Sequence, residues 1–213
     1  MLKYRFILSS ISSLLAATAC GAQEFNLDKF GLETGVSTLG FYIGPDYEIN
    51  KNIRIRTPLY FGKFSQTFDV EGNDVDASLN LSSLHIMGDY YFGASGVRAS
   101  TGLAFGGYSL EGTATNLTFD GTKYDGNFVA KMNQDKKVAP VFAIGYQHTF
   151  GDNWGFSAEL GARITSVTLF ITGQETLSAS DFTKFETDLA EINRDLHDFN
   201  VIPFLSLAVS YRF

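Results

Sequence analysis

Three histidines are present, His85, His148 and His197, and two of them have a carboxylate close by in sequence. A histidine beside a carboxylate is a common seed of acid–base chemistry, because imidazole titrates near neutral pH and the carboxylate orients it. His85 precedes Asp89 on the same alternating segment, and His197 is followed directly by Asp198. Neither pair comes with a nucleophile at a recognisable spacing. GxSxG, HExxH, the phosphate-binding loop and paired-cysteine motifs are all missing. The His85–Asp89 pairing is therefore read as structural, and the chain as a non-enzyme. Only His197 stands where a lipid- or peptide-cleaving enzyme at a membrane rim needs its base. The acidic run from Asp69 to Asp76 lacks the full EF-hand spacing, so neither a metal nor any other cofactor is expected. Cys20 is the single cysteine, which removes disulfide frameworks, zinc clusters and, if it lies in a cleaved leader, thiol chemistry.

The other chemistry is ionic. Glu33, Asp46, Glu48, Asp89 and Glu159 match Arg54, Arg56, Arg98, Arg163 and Arg212 in number, although the whole chain carries a net charge of −7. These charges alternate with apolar residues. Ile53 and Ile55 flank Arg54 and Arg56; Leu84, Ile86 and Tyr90 interleave with His85 and Asp89; Phe156, Ala158 and Leu160 interleave with Ser157 and Glu159. A period of two is the signature of a strand with two unlike faces. If Asn50–Asn52 is a hairpin loop with Ile49 opposite Ile53, Glu48 faces Arg54 and Asp46 faces Arg56, and facing opposite charges attract.

The elements that must position these residues are strands of one pattern. Segments around Phe30–Val36, Phe41–Glu48, Ile53–Phe61, Ser83–Phe92, Arg98–Phe105, Phe142–Gln147, Trp154–Ile164 and Val201–Phe213 alternate in the same way. Gly-, Asn- and Asp-rich turns follow at Asn50–Asn52, Gly93–Gly96 and Gly151–Asn153, as hairpins require. The connections at about 69–76, 112–137 and 173–200 read as long loops, and Ser37–Thr38 as a tight link. Pro45 and Pro58 fall inside strands, where irregular pairing is expected. Ser180–Asp198 changes period: Phe182, Phe185, Leu189, Ile192, Leu196 and Phe199 form a helical stripe, with Ser180 as N-cap and Glu186, Asp188, Glu191 and Asp195 opposite.

A water-soluble barrel would put its apolar face inside. The self-neutralising polar face and the aromatics beside the short turns select the reverse. Tyr47, Tyr90, Phe92, Tyr146, Phe150, Trp154, Phe156 and Tyr211 form the girdle expected at a membrane boundary. The fold read from the sequence is thus all-β: an eight-stranded antiparallel transmembrane β-barrel with a short amphipathic helix in the last extracellular loop. Lys3 and Arg5, the apolar run Phe6–Leu15 and the small residues up to Ala22 read as a signal peptide over 1–22, with the barrel domain at 23–213. Acylation of Cys20 is the competing reading, without the usual Leu three residues earlier.

Leu207, Val209, Tyr211 and the terminal Phe213 look like the C-terminal assembly signal of bacterial outer-membrane barrels. The chain resembles the small barrel superfamily that includes the OmpA membrane domain and OmpW. That resemblance implies the outer membrane of a Gram-negative bacterium, with outer-membrane lipid and, through the last strand, the barrel-assembly machinery as partners. The acidic balance argues against nucleic acid. Three functions are carried forward. One is a structural or binding barrel whose lumen is plugged by ion pairs. Another is an OmpW-like conduit for a small apolar ligand beneath Phe182 and Phe185. The third is an outer-membrane enzyme acting on lipid or peptide.

Overall fold

The structure is a computed structural model; residues 27–70, 73–119, 122–198 and 200–213 are described. The expected leader, with Cys20, lies outside them. Eleven strand segments form one antiparallel sheet: β1 (Phe30–Ser37), β2 (Gly40–Asn50), β3 (Ile53–Arg56), β4 (Leu59–Val70), β5 (Asn73–Tyr91), β6 (Val97–Phe119), β7 (Thr122–Gln134), β8 (Val138–Phe150), β9 (Trp154–Ile164), β10 (Val167–Thr172) and β11 (Val201–Arg212). Three strands are each broken in two, as β3/β4, β7/β8 and β9/β10, so the wall has eight strands. It closes where β1 pairs with β11, from Gly31 opposite Arg212 to Ser37 opposite Ser206. Closure leaves no raw edge in the ring, the condition for a sheet to cross a bilayer.

The apolar face points outward. In β11, Leu205, Leu207 and Val209 are 41–50% exposed, whereas Phe204, Ser206, Ala208 and Ser210 are buried. Leu84, Ile86, Phe142, Ile144 and Leu160 continue the exposed apolar band around the wall. Polar side chains fill the interior instead, which is the inversion a membrane barrel requires.

Above this band the strands are much longer than the sequence suggested. The segments expected as loops at 69–76 and 112–137 are mostly continuous hairpins: β4 and β5 pair out to Val70 opposite Asn73, and β6 and β7 out to Phe119 opposite Thr122. Here the amphipathicity flips. On β5, Leu81 is buried and Ser82 exposed, but two residues on Ser83 is buried and Leu84 exposed. On β6, outward-facing Leu103 and Phe105 give way to outward-facing Gly107 and Ser109. Outside the hydrocarbon the outer face meets water, so apolar residues move to the inner face.

The extension is one-sided. β1, β2 and β11 stop at the ring, while β4, β5, β6, β7 and β10 rise beyond it. Helix α1 (Ala179–Asp198) lies against β10. Ser178, not Ser180, caps it: its Oγ accepts from the Asp181 N–H at 3.3 Å and donates to the Asp181 carboxylate at 2.7 Å. Of the expected stripe, Phe185 is fully buried on Tyr124, Phe128 and Ile171, with Leu189 packed beside them, but Phe182 is 41% exposed. Phe199 lies outside the described residues.

Two irregularities interrupt this wall, one a shift from the expected hairpin register and the other at Pro58, where irregular pairing was expected. The first hairpin sets Asn50, not Ile49, opposite Ile53, after a register shift beyond Glu48. At Thr57–Pro58 the ladder is interrupted without a slip: Asp46 opposes Arg56 on one side and Ile43 opposes Leu59 on the other.

Candidate functional site

The candidate site is the barrel interior. Arg56, on β3, is 4% exposed and sits among carboxylates from three other strands. Its Nε meets Asp89 of β5 at 2.8 Å, an Nη forms a close ion pair with Glu159 of β9, and the other Nη lies 3.7 Å from Glu33 of β1. Arg98 of β6, 1% exposed, reaches Glu159 at 3.0 Å and Glu33 at 3.9 Å. The Tyr42 and Ser157 hydroxyls donate to the Glu33 carboxylate at 2.9 and 3.0 Å. The contacts run across the lumen as well as along the wall, because a narrow eight-stranded barrel brings opposite walls within side-chain reach.

Asp46 stands opposite Arg56 in the ladder, yet it does not pair with it. Its carboxylate takes Arg212 of β11 at 2.6 Å. The two meet across Gly31 of β1, where any side chain would strike the Asp46 carboxylate: a Cβ would lie 2.2 Å from it. Arg56 is drawn instead to the three deeper carboxylates. Glu48 does pair with Arg54, at 3.2 Å, nearer the short-turn rim. Arg54 also donates to Gln147 at 3.0 Å and lies 4.5 Å over the Tyr91 ring.

His85 and Arg163 depart from the expected ionic pattern. His85 is buried, but Asp89 is committed to Arg56, and the His85 Nε2 is 2.7 Å from an Arg163 Nη. Arg163, 1% exposed, donates to Ser83 at 2.8 Å and Gln134 at 2.9 Å and makes no ion pair with a carboxylate among the described residues. Between this upper layer and the ionic layer lie Tyr42, Tyr60, Met87 and Phe204. Tyr60 stacks near Tyr42 and His85 with ring centroids 4.8 and 4.5 Å away. The Phe204 ring occupies the space left by Gly161, where a Cβ would come within 2.3 Å of it. Tyr60 and Phe204 escaped the sequence reading because an aromatic on the polar face looks like a phase error. Their even numbering within strands whose outward residues are odd was the available signal.

The other histidines do not join a site. His148 points outward near the short-turn rim. His197 is half exposed and pairs with Asp135 at 3.5 Å, not with Asp198. Among the described residues no group of three His, Cys, Asp or Glu is arranged to hold a metal ion.

The aromatics named for the girdle lie outward at the short-turn rim. Tyr90, Phe92, Tyr146, Phe150, Trp154 and Phe156 are 43–53% exposed. Tyr211 meets Trp154 at 5.0 Å and Phe213 at 5.3 Å, while Tyr47 meets Phe30 at 5.0 Å. Leu207, Val209 and Phe213 of the C-terminal strand are 41–55% exposed, and the Phe213 N–H donates to the Phe30 carbonyl at 3.0 Å.

No family model and no curated protein matches the sequence. Solved structures do match. Acinetobacter baumannii CarO2 superposes with a TM-score of 0.65 at 16% identity, covering 86% of this chain and 98% of that one. Acinetobacter baumannii CarO gives 0.62 at 18% identity, covering 86% and 97%. The likeness does not extend to the OmpA or OmpW names; what the chain shares with the CarO structures is its fold, an outer-membrane-type β-barrel of eight antiparallel strands.

Proposed function

We propose that the chain is an integral protein of a Gram-negative outer membrane, with a structural or binding role and a lumen closed to ions. The short turns face the periplasm and the one-sided extension with α1 faces outward. Assembly runs through the barrel-assembly machinery, which reads Leu207, Val209, Tyr211 and Phe213. The observation that supports closure is Arg56, held by Asp89, Glu159 and Glu33 across the bore and roofed by Tyr60 and Phe204. An ion would have to displace paired charges and then pass a packed aromatic layer, and neither step is compensated. Purified chain reconstituted in planar bilayers is expected to give no large, stable conductance. Long-lived open steps from the wild type would overturn the reading.

A second reading, capture of a small apolar molecule, is favoured by one feature. A cavity of about 510 Å³ opens at the free side of the extension, lined by Phe64, Ala77, Leu79 and Leu110 among others. This differs from the place beneath Phe182 and Phe185 that the sequence suggested, since Phe185 itself fills that space. Leu79→Asp would abolish uptake of an apolar fluorophore if the cavity binds it. Unchanged binding would discard this reading. No observation favours an enzyme.

A further inference from the structure

We propose that the outer wall carries a site for the phosphate-bearing headgroup of a membrane lipid, placed where the wall changes from apolar to polar; this rests on the barrel lying in an outer membrane. Across three neighbouring strands the outward face is small and polar. Asn80 opposes Ser109, Ser82 opposes Gly107, and Ser109 opposes Asn133. With Lys136 and Lys137, between β7 and β8, these residues line a recess of about 420 Å³.

The recess follows from a flaw in the ladder. β6 pairs with β8 up to Phe105 opposite Val138 and resumes with β7 at Ser109 opposite Asn133. Three residues of β6 therefore face four on the other side, and the extra residue bulges the Lys136–Lys137 segment. Gly106 has a φ of +89°, open to glycine, and at Gly107 a Cβ would lie 2.7 Å from the Gln134 amide oxygen. Gln134 fills the gap from behind: its Nε2 donates to the Gly106 carbonyl at 3.1 Å and to the Lys136 carbonyl at 2.5 Å. The lysine segment is thus held in place.

Its charge meets an acid only at longer range, Lys136 contributing less than His197 to lowering the Asp135 carboxyl. Neither lysine makes an ion pair among the described residues. Asp135, next in the chain, accepts from Thr168 at 2.6 Å and pairs with His197. Glu111, the nearest acid above on the outward face of β6, is taken by Lys131 at 3.0 Å. Directly below the recess, Leu84, Phe105 and Val138 form one outward row, 36–46% exposed, with Ile86 and Leu103 beneath. A free phosphate would use only the recess. An amphiphile uses both, its phosphate against the two ammonium groups and its chain along the apolar row.

Native mass spectrometry of the full folded chain in detergent tests this, with bisphosphorylated lipid A as probe. Dephosphorylated lipid A and millimolar inorganic phosphate serve as the competing arms. Wild type is expected to retain the bisphosphorylated lipid, and Lys136→Gln with Lys137→Gln to lower its affinity about 10- to 30-fold. Lys131→Gln, on the same face but outside the recess, should leave it unchanged. Equal retention by the double variant, equal binding of the dephosphorylated lipid, or displacement by inorganic phosphate would each overturn the proposal. Both substitutions are on the surface, and a heat-sensitive folded gel band verifies each variant. A folded chain that needs detergent yet ignores the lipid defeats the site alone. A chain that stays dispersed without detergent defeats the membrane reading.

Discussion

At the scale of single residues, the ionic interior separates charges that are answered from one that is not. Removing Arg56 leaves Asp89 without its ion pair and Glu159 and Glu33 with Arg98 alone, so Arg56→Met is expected to cost about 3–5 kcal/mol. Arg163 has only neutral partners. Arg163→Met is expected to cost clearly less, under about 2 kcal/mol, because no buried carboxylate is left behind and the desolvation of a guanidinium is relieved. Thermal loss of the folded gel band ranks the two, and equal losses would refute the distinction. Exchange of partners gives a sharper check. Asp46→Arg combined with Arg212→Asp should recover heat resistance lost in either single variant, whereas Asp46→Arg with Arg56→Asp should not. The sequence offered the second pair, because a hairpin register brings Asp46 opposite Arg56. It could not reveal the first, since Asp46 and Arg212 come from opposite ends of the chain and meet only because Gly31 has no side chain.

Elements show a similar limit. The transmembrane strands were legible because apolar and polar residues alternate with one phase. The extension was misread as loop because its polar outer face and short apolar residues blur that contrast. The phase itself carried the answer: Leu79 and Leu81 are odd-numbered, Leu84 and Ile86 even-numbered, within one unbroken strand. Helix α1 covers the exposed edge of β10 through an unplanned pairing, in which Asn193 imitates a neighbouring strand. Its Oδ1 accepts from the Leu169 N–H at 2.7 Å and its Nδ2 donates to the Leu169 carbonyl at 2.9 Å. Asn193→Ala should free the Leu169 amide, seen as faster hydrogen exchange there, at a local cost of about 1–3 kcal/mol. The last turn of α1, beyond Asn193, is expected to respond to pH. Burial raises the Asp135 carboxyl, but hydrogen bonds with Ser166 and Thr168, aided by His197, hold it below its ordinary value. A lowered folded value stabilises the docked helix above the ordinary carboxylate range, and that contribution disappears as pH falls through the lowered value. Exchange at the C-terminal turn of α1 should therefore speed up in acid, and Asp135→Asn should show the same loosening at neutral pH.

The molecule as a whole fixes its own depth in a bilayer. The lower limit is the ring of Tyr90, Phe92, Tyr146, Phe150 and Trp154, and the upper limit is the change of phase between Leu81 and Leu84. Trp154 is the only tryptophan, so its fluorescence reports on one boundary. Lipids brominated near the headgroup should quench it more than lipids brominated at the chain ends. With Trp154→Phe and Ile144→Trp the order should reverse, because Ile144 is 67% exposed in the middle of the band. Identical quenching profiles would contradict the assigned depth. The seam between the first and last strands has a temporal meaning. The Phe30 carbonyl accepts from the Phe213 N–H, and Asp46 waits for Arg212. Until the last strand has been made, the cylinder is an open ribbon with two unpaired margins and half-matched charges. Such a ribbon has to be kept from its neighbours until the tail arrives. Loss of the pairing that Arg212 and Phe213 make at the seam would therefore harm biogenesis far more than it would harm a barrel already closed.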